Sequence, residues 1–589
     1  MSEGFNNPDK IKDLKYGFDS FKNNKVLYGK KGRLPAMGWN SWNAFGSGNT
    51  EALTKDMVDK MIELGLDKLG YKYVVLDDGC YNSTRIDGHL ASDPVKFPGG
   101  FRHISDYVHS KGLKFGMYND IGSKLCSGLE VGTCGHEETD AKDYIKWDID
   151  FIKVDNCYNV WDNATFSNPE NARFTFAPNI KGIRFENNYY SFKEAAITGK
   201  RAFVENDYIT GIGTFDGTGP DTTPLGDLSS ELIFYVYAPE EGEYDLFVSY
   251  ATGAAEGVGA WLQVAVGDNS EYFYDDFLPS TGNPKTFRQS AAIKIKLKEG
   301  ANKIRLMNHR RQENTLLSYA KIKECFAKIA PKKDIVFSIC EWGKTQPQNW
   351  GYKVGDSWRI LNDITFQVGS DGDSGHASWE GAYTTSVTSQ YNKAVIMDSF
   401  SGLDKGYNDP DMLMIGMDGL TDTMCRTHMT MWCMLNAPLM LGMDLRNVTN
   451  GDEVYSVISN EDVIALDQDA LGIQAKRIYT TKAVSPDTTY IRDNDRIDVL
   501  CKPLSDGSIA LSFINVSLGD RNDTLKIGLD LIKNYMAAKM VDPVKFFNAS
   551  SYEIFDVWSK EKKIITDKVF TSVPLKACDS LTFKITPMD

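Results

Sequence analysis

The stretch DFIKVDNC, residues 150–157, decides the fold of this chain. It is a short apolar run, Phe151–Val154, interrupted by Lys153 and ended by Asp155, Asn156 and Cys157. A run of this length between polar residues is typical of a buried parallel strand. A carboxylate at the end of a buried strand is costly unless it has a function. For one strand alone, an N-cap aspartate at an ordinary strand-to-helix turn is the simpler interpretation. Because the pattern is repeated along the chain, we favour the interpretation that this carboxylate has a function.

The flanking sequence alternates between strands and helices about every 35–40 residues, as parallel α/β sheets do. Several of the predicted strands end in polar or acidic residues, which is where a β/α barrel places its catalytic groups. The predicted strands are 35–42, 71–76, 113–118, 150–155, 335–339, 358–361, one around residue 400, and 439–443. The predicted helices include 53–62, 101–111, 136–148, 421–436 and 461–471. We assign the Met and Trp residues of 421–436 to core packing.

Residues 166–322 break this rhythm with short runs of period two separated by turn residues, which predict an antiparallel β-sandwich. From about residue 475 the sequence is again β-like to its end. The sequence therefore predicts a (β/α)₈ TIM barrel, interrupted by an inserted β-sandwich and followed by a C-terminal antiparallel β-sandwich. The predicted domains are a barrel of residues 1–165 and 323–474, an insert of residues 166–322, and a C-terminal domain of residues 475–589.

Composition narrows the class of protein. A length of 589 residues suits about three domains. The net charge of −15 argues against a nucleic-acid or anionic-membrane partner. The first twenty residues lack an apolar signal core, so we expect a cytoplasmic protein, or a secreted one if a leader has been removed. The ten cysteines have neither metal-site spacing nor a disulfide pattern.

The polar groups at the predicted strand ends form one constellation of carboxylates, cations and aromatic rings. Glycosidic chemistry needs such a set, because one carboxylate stabilises or attacks an oxocarbenium-like centre while another delivers a proton to the leaving oxygen. Acidic strand ends also bind metals in other barrels. The chain has only seven histidines, and this low number argues against a zinc hydrolase. The candidate residues are Trp42, Asp77, Asp78, Tyr118, Lys153, Asp155, Glu341, Arg359, Asp363 and Asp411.

Longer motifs make the chain resemble the α-galactosidases of glycoside hydrolase family 27. The resemblance runs in order through residues 35–164 and 326–475. It implies a (β/α)₈ barrel with a C-terminal β-sandwich and a retaining mechanism without cofactor or metal. The motifs are MGWNSW (37–42), VVLDDG (74–79), DPVKFPGG (93–100), GLKFGMYNDIG (112–122), FIKVDNC (151–157), SICEWG (338–343), SWRILNDI (357–364), YNDPDMLMIG (407–416), NAPLMLGMDLR (436–446) and LDQDALGIQ (466–474).

The resemblance implies catalytic roles for two carboxylates. Asp155 matches the nucleophile and Asp363 the general acid/base, and in a retaining enzyme the two carboxyl groups lie about 5–5.5 Å apart. Asp155 must be ionised, and a nearby Lys153 favours that state. Asp363 must arrive protonated, so burial and neighbouring acids are expected to raise its pKa.

The resemblance also implies a galactose site. Asp77 and Asp78 match the pair that holds the 4- and 6-hydroxyls, and Trp42 matches the ring that stacks on the sugar. Tyr118, Lys153, Arg359 and Asp411 would complete the hydroxyl contacts. Glu341 stands where related α-N-acetylgalactosaminidases have small residues, which favours a plain 2-hydroxyl. The expected partners are galactose-containing oligo- or polysaccharides, and homo-oligomerisation stays open.

Departures from the family pattern keep alternatives open. Gly79-Cys80-Tyr81 replaces the usual Cys-Trp after the acid pair, so the resemblance does not assign a rim aromatic residue at this position. A β-L-arabinopyranosidase or an isomalto-oligosaccharide-releasing enzyme of the same family is one alternative, and a non-catalytic sugar-binding protein is another. Cys126 and Cys157 match a disulfide pair of secreted relatives. The cysteines of other family disulfides are absent at 44–46, which favours a reducing compartment.

The insert resembles a carbohydrate-binding module of the sandwich type. Its recognisable parts are YAPEEGEYDLFVSYATG (237–253) and IKIKLKEGANKIRLMN (293–308). These motifs indicate a fold and no particular ligand, so a sugar-binding module and a structural or dimerising insert stay open. Tyr189, Tyr190 and Tyr208 are candidate sugar-stacking rings. Calcium is frequently structural in such modules, but no Asp or Asn run here indicates a site.

Overall fold

The computed structural model describes most of the chain, and every structural statement below concerns the described residues. These are residues 32–158, 178–198, 202–214, 229–252, 260–268, 272–307, 311–344, 346–381, 385–487 and 489–588. Among the described helices, none combines the length and the apolar character needed to cross a membrane.

The first half of the chain builds four neighbouring parallel strands with helices between them. Their side chains are buried nearly throughout, as expected for strands covered on both faces. The elements are β1 Met37–Asn40, α1 Ser41–Phe45, α2 Glu51–Glu63, β2 Tyr73–Val75, α3 Gly100–Ser110, β3 Lys114–Asp120, α4 Glu137–Lys146 and β4 Phe151–Asp155.

The insert follows β4 and is an antiparallel sandwich with its own core. Two sheets, in the orders β15-β14-β18-β12-β7 and β16-β13-β5-β9-β8, pack around alternating apolar residues such as Ile293, Ile295 and Leu297. Its strands are β5 Asn179–Phe185, β6 Asn188–Ser191, β7 Ala196–Ile197, β8 Phe203–Glu205, β9 Tyr208–Thr210, β10 Gly213–Thr214, β11 Ser229–Ser230, β12 Leu232–Ala238, β13 Gly242–Thr252, β14 Ala260–Val266, β15 Tyr272–Leu278, β16 Asn283–Gln289, β17 Ile293–Leu297 and β18 Gly300–Met307.

The three tyrosines proposed as stacking rings differ in exposure. Tyr208 is buried, with its ring 5.3 Å from that of Phe287, so it is not a surface platform. Tyr190 packs partly against the core of the insert. Tyr189 is 51% exposed and alone of the three presents most of its ring to solvent.

The barrel resumes after the insert and closes. The helix that follows β18 packs against α4 and spans the predicted boundary between residues 322 and 323, so the insert ends at Met307, before this helix. The elements are α5 Arg311–Ile329, β19 Val336–Ile339, β20 Ser357–Arg359, α6 Val387–Ala394, β21 Tyr407–Asp409, α7 Asp422–Leu435, β22 Leu439–Leu441, α8 Glu453–Ile458 and α9 Glu461–Asp467.

The eight strands follow the order β21-β20-β19-β4-β3-β2-β1-β22, which confirms the predicted TIM barrel. A parallel bridge from Leu413 to Leu441 joins the two ends of this order. One strand was misplaced by the sequence: residues 398–400 form a 3₁₀ turn, and the seventh strand is Tyr407–Asp409. The Met- and Trp-rich α7 is buried against the sheet, as predicted.

The C-terminal domain is a six-stranded antiparallel sheet, in the order β23-β24-β25-β30-β27-β28, packed with a two-stranded sheet of β26 and β29. Its two helices were not predicted, because the apolar spacing Leu529, Ile532, Met536 of α10 is short and lies between strands. The elements are β23 Lys476–Thr480, β24 Ile497–Pro503, β25 Ile509–Asn515, β26 Lys526–Gly528, α10 Leu529–Met536, α11 Pro543–Asn548, β27 Ser551–Asp556, β28 Lys562–Ile565, β29 Val569–Thr571 and β30 Ser580–Met588.

Candidate active site

The carboxyl ends of the barrel strands bring the predicted site residues to one mouth. Asp77 and Asp78 follow β2, Lys153 and Asp155 end β4, and the other residues belong to the neighbouring strands and their first loop residues. The remaining positions are Trp42 in α1 after β1, Tyr118 in β3, Glu341 after β19, Arg359 and Asp363 at and after β20, and Asp411 after β21.

Asp155 is buried at the centre of this mouth. Its Oδ1 accepts a hydrogen bond from the backbone N–H of Asn156 at 2.9 Å, and its Oδ2 accepts one from the Tyr118 hydroxyl at 3.2 Å. Burial raises the pKa of Asp155 to about 7; the charge of Asp363 also raises it, and that of Lys153 lowers it. The two predicted catalytic carboxylates therefore interact electrostatically.

Lys153 binds Asp77. Its Nζ donates to Asp77 Oδ2 at 2.8 Å and lies 5.6 Å from the centre of the Tyr118 ring. The Asn40 side chain donates to the same Asp77 oxygen at 2.8 Å, and Asp77 Oδ1 accepts from the backbone N–H of Asp78 at 2.9 Å. Three donors thus hold the Asp77 carboxylate in one orientation.

Asp78 is held by a loop that the sequence did not assign to the site. Its Oδ1 accepts from the backbone N–H of Gly79 at 2.6 Å and from the hydroxyl of Ser127 at 2.8 Å. Its Oδ2 accepts from the backbone N–H of Ser127 at 2.7 Å. Burial raises the pKa of Asp78 to about 6, and the hydrogen bonds from Ser127 oppose that rise.

Arg359 joins Asp363 to Asp411. Its Nη2 lies 3.0 Å from Asp363 Oδ1 and 2.7 Å from Asp411 Oδ2. Burial raises the pKa of Asp363, Arg359 lowers it, and Asp411 raises it again. The Asp363 side chain remains 31% exposed, whereas those of Arg359 and Asp411 are 2% and 4% exposed. Of the two carboxylates that Arg359 contacts, Asp363 is therefore the more accessible.

Asp411 is fixed by its backbone as well as by its partners. It has a φ of 79°, which places it in the left-handed region that aspartate tolerates better than most residues. Its Oδ2 accepts from the backbone N–H of Ile364 at 2.8 Å, and its Oδ1 from that of Met412 at 2.8 Å. These contacts tie the loop after β20 to the loop after β21.

Trp42 and Glu341 lie at the edges of the constellation. Trp42 is half-buried and packs on the inward-facing side chains of the barrel, a cluster that includes Tyr73 and Phe151. Glu341 is completely buried directly after β19. Burial raises the pKa of the Tyr319 hydroxyl in α5, and the charge of Glu341 raises it further.

Tyr81 is not a rim residue. The turn at Gly79, with a φ of 93°, directs the following residues inward, and both Cys80 and Tyr81 are buried. The Tyr81 hydroxyl donates to the backbone oxygen of Tyr118 at 2.5 Å and contacts the Tyr144 hydroxyl at 3.0 Å. Tyr81 therefore contacts β3 from within the core and does not form part of the rim.

Cys126 and Cys157 form a disulfide, with their Cα atoms 5.2 Å apart. Asp120, at the end of β3, accepts a hydrogen bond from the backbone N–H of Cys157 at 2.6 Å. Sequence reasoning left Asp120 and Ser127 out of the site. The position of Asp120 at a strand end was an available signal, whereas nothing local marks Ser127.

One group of side chains in the described residues has the geometry to hold a metal ion: Asp120, Cys126, Asp155 and Cys157. The two sulfurs of this group are joined to each other in the disulfide, which removes them as thiolate ligands. The described part of the insert offers no group of this kind for the calcium considered from sequence.

Comparisons with known proteins agree with this geometry. A family model described as alpha galactosidase A matches residues 34–184 and 302–469, more than half of the chain, and leaves most of the insert unmatched. A second model, described as the alpha galactosidase C-terminal beta sandwich domain, matches residues 494–585.

Individual relatives resemble the chain at low identity over most of its length. An α-galactosidase of Cyamopsis tetragonoloba is 27% identical over 488 residues, which cover 82% of this chain and 74% of the relative. The structure of α-galactosidase I from Mortierella vinacea has a TM-score of 0.58 at 22% identity, covering 94% of this chain and 98% of that one. An α-galactosidase from Saccharomyces cerevisiae, solved with raffinose, has a TM-score of 0.58 at 20% identity, covering 94% and 98%. At these identities the structures support the fold.

Proposed function

The chain belongs to the alpha galactosidase A family, and from this membership we propose that it is a retaining, exo-acting glycosidase that releases terminal α-D-galactosyl residues. The observation that carries the proposal is the pairing of Asp155 and Asp363 in one mouth. Asp155 is buried and hydrogen-bonded by Tyr118, whereas Asp363 is accessible and held by Arg359. One fixed carboxylate and one accessible carboxyl group suit the two roles of a double displacement.

In the first step Asp155 attacks the anomeric carbon while Asp363 gives its proton to the glycosidic oxygen. The bond from carbon to the leaving oxygen breaks with its electron pair on that oxygen, and a glycosyl ester remains on Asp155. In the second step Asp363 takes a proton from water, which attacks the same carbon and releases Asp155 as a carboxylate. Two inversions retain the configuration, and the chemistry needs no cofactor.

The environment of Asp363 favours the protonation state that this mechanism needs, whereas burial of Asp155 opposes its ionised state. The raised pKa of Asp363 favours a protonated acid on arrival of the substrate. The charge of Lys153 lowers the pKa of Asp155 and opposes the effect of burial. Because the charge of Asp363 raises the pKa of Asp155, protonation of Asp363 favours an ionised Asp155.

The acid pair Asp77-Asp78 supports galactose among the sugars of this family. Both carboxylates are fixed by protein donors at the end of β2 and lie beside Lys153. Two fixed acceptors suit the 4- and 6-hydroxyls of galactose, whereas a pentopyranose offers no 6-hydroxyl. The bulk of Glu341 after β19 supports a substrate with a plain 2-hydroxyl. Galactose-containing oligosaccharides are the substrate class that fits these groups.

The test compares three aryl glycosides: an α-D-galactoside, a β-L-arabinopyranoside and an α-N-acetylgalactosaminide. We expect the highest kcat/KM on the galactoside, and the loss of hydrolysis with retained galactose binding in Asp155→Asn. The exposed Asp404 supplies the matched control Asp404→Asn, which should keep full activity.

Each contrary result removes a different part of the proposal. Preference for the arabinopyranoside means that the site excludes the hydroxymethyl group, and the assignment of the Asp77-Asp78 pair to the 4- and 6-hydroxyls fails. Full activity in Asp155→Asn ends the proposed mechanism. Binding of galactose without hydrolysis of any of the three glycosides identifies a sugar-binding protein.

A further inference from the structure

The hydrogen bonds of Asp78 leave little of its carboxylate free. A carboxylate has about four acceptor positions, two on each oxygen. Oδ1 of Asp78 accepts from the Gly79 N–H and the Ser127 hydroxyl, and Oδ2 accepts from the Ser127 N–H. Among the described residues, protein donors therefore occupy three of the four positions, and one position on Oδ2 is left for a ligand.

The neighbouring Asp77 shows the same occupancy. Its Oδ2 accepts from Asn40 and from Lys153, and its Oδ1 accepts from the backbone N–H of Asp78. One acceptor position, on Oδ1, is left. The pair as a whole thus presents two acceptor positions, one on each residue, which equals the number of hydroxyls assigned to it by the proposed function.

Ser127 supplies two of the three donors to Asp78, and its own position is fixed by covalent and hydrogen bonds. It follows Cys126, whose disulfide to Cys157 attaches this loop two residues after Asp155. The same loop is closed by a hydrogen bond from the Cys134 N–H to the Gly122 oxygen at 3.0 Å. The Gly122 N–H donates to Asp120 Oδ1 at 2.6 Å, which joins the start of the loop to β3.

We propose that Ser127 is a positioning residue for substrate specificity: it orients the Asp78 carboxylate so that its one free acceptor position meets the hydroxymethyl group of the sugar. The disulfide from Cys126 to Cys157 holds Ser127 in register with the strand that carries Asp155. Loss of the Ser127 hydroxyl frees a second acceptor position on Asp78 and lets the carboxylate rotate. This inference rests on the proposed function, in which the acid pair holds the 4- and 6-hydroxyls, and it takes Asp78 as the member that binds the 6-hydroxyl.

The test measures binding, so it does not depend on turnover of a poor substrate. D-galactose and L-arabinopyranose share the ring configuration and differ by the hydroxymethyl group. For Ser127→Ala we expect the inhibition constant of galactose to rise roughly tenfold while that of arabinose stays within about twofold, since a hydrogen bond to a charged group is one of the strong ones. With the aryl α-galactoside, KM should rise by a similar factor and kcat should change little.

Three further variants separate positioning from general damage. Ser127→Thr keeps the hydroxyl and should restore the ratio of the two inhibition constants. Ser123→Ala, in the same loop, is the matched control, because the Ser123 hydroxyl has no hydrogen-bond partner among the described residues. Cys126→Ser breaks the disulfide and should shift the ratio in the same direction as Ser127→Ala.

The outcomes distinguish this inference from the proposed function. If the unmodified protein hydrolyses no α-galactoside, the proposed function fails first. If it does hydrolyse the galactoside and Ser127→Ala leaves the ratio unchanged, or raises both inhibition constants equally, the role of Ser127 is wrong and the proposed function stands. A galactose-specific loss in Ser127→Ala that Ser127→Thr restores supports the inference.

Discussion

Lys153 extends from β4 to the end of β2, where its ammonium group donates to Asp77 Oδ2 at 2.8 Å, although Asp155 lies only two residues further along its own strand. The side chain of Asp77 is 3% exposed, so this is a buried ion pair. At the same time the charge of Lys153 lowers the pKa of Asp155. One cation therefore compensates the Asp77 carboxylate and favours the ionised form of Asp155, the proposed nucleophile.

Replacing Lys153 should affect both functions. In Lys153→Met, Asp77 is left buried without its cation, and we expect kcat/KM on an aryl α-galactoside to fall roughly 10- to 100-fold. The pKa of Asp155 should rise further, because the lowering effect of Lys153 is lost. Since Asp155 must be ionised to attack, the acid limb of the kcat/KM profile should move to higher pH.

The pH profile from about pH 3 to 9 is the measurement that checks this prediction. The control is Lys142→Met, which removes an exposed lysine paired with Glu138 on α4 and should leave the profile unchanged. An acid limb that stays in place in Lys153→Met would show that Lys153 does not act on the nucleophile.

Asp155 should make the protein less stable as the pH rises. Burial raises its pKa to about 7 in the folded state, above the usual value of about 3.9 in an unfolded chain. Between these values the folded protein holds a proton that the unfolded chain has released. The stability that protonated Asp155 contributes is therefore complete below about pH 4 and is lost as the pH rises through 7.

Asp155→Asn should consequently stabilise the protein at pH 8 and change little at pH 4.5. We expect a gain of about 2–4 kcal/mol at pH 8, an order-of-magnitude value from the size of the shift. Lys153 keeps Asp77 as its partner, so the substitution leaves no unpaired cation. Calorimetric melting temperatures at the two pH values test this, with Asp404→Asn as the control. An equal change at both pH values would contradict it.

The sequence predicted the barrel well because its strands are buried on both faces and end in polar residues, a pattern visible in runs such as 150–157. It misplaced the seventh strand because the apolar residues near 395–400 form a helix end and a 3₁₀ turn, while the true strand, Tyr407–Asp409, is short and polar. Strand length and polarity at a barrel mouth follow from tertiary contacts, which local patterns do not contain.

The sequence predicted which candidate residues lie at the mouth but not which groups contact them. Asp155, Asp363 and the acid pair reach the mouth because strand ends must meet there. That Lys153 pairs with Asp77, that Tyr81 turns inward, and that Ser127 holds Asp78 all depend on loop conformations set by distant contacts. A serine in a loop carries no local signal of such a role.

Asp411 is expected to control the alkaline side of the activity profile. It accepts from Arg359 and raises the pKa of Asp363, which Arg359 lowers. Asp411→Asn removes the negative charge that raises the pKa of Asp363. Arg359 then no longer pairs with a carboxylate at residue 411 and interacts more strongly with Asp363, so the pKa of Asp363 should fall. Because Asp363 must be protonated to act as the acid, the alkaline limb of kcat/KM should move to lower pH.

Asparagine suits this position because it tolerates the left-handed backbone of residue 411. The profile is compared with that of Asp404→Asn, an exposed change preceding the same strand. A fall in activity without movement of the alkaline limb would mean that Asp411 binds substrate without tuning the acid.

The barrel and the C-terminal domain meet at a buried network around Asp498 of β24. The Asp498 carboxylate accepts from Arg496 Nε at 3.1 Å and lies 3.5 Å from Arg477 Nη1, and the Tyr391 hydroxyl of α6 donates to it at 3.1 Å. The side chains of the two arginines and of Asp498 are at most 1% exposed. Burial alone raises the pKa of Asp498, but the two arginines outweigh it and hold the pKa below its usual value.

Asp498→Asn leaves two buried guanidinium groups without their shared anion, so we expect a loss of about 3–5 kcal/mol at pH 7. Because the folded pKa is lowered, the contribution of Asp498 is complete above about pH 4 and disappears only as the pH falls through the lowered value. The melting temperature should therefore fall by several degrees at pH 7 and pH 5 alike. Glu138→Gln, which removes an exposed ion pair with Lys142, should leave the melting temperature nearly unchanged. If both variants melt at the same temperature, the network contributes no more to stability than a surface ion pair.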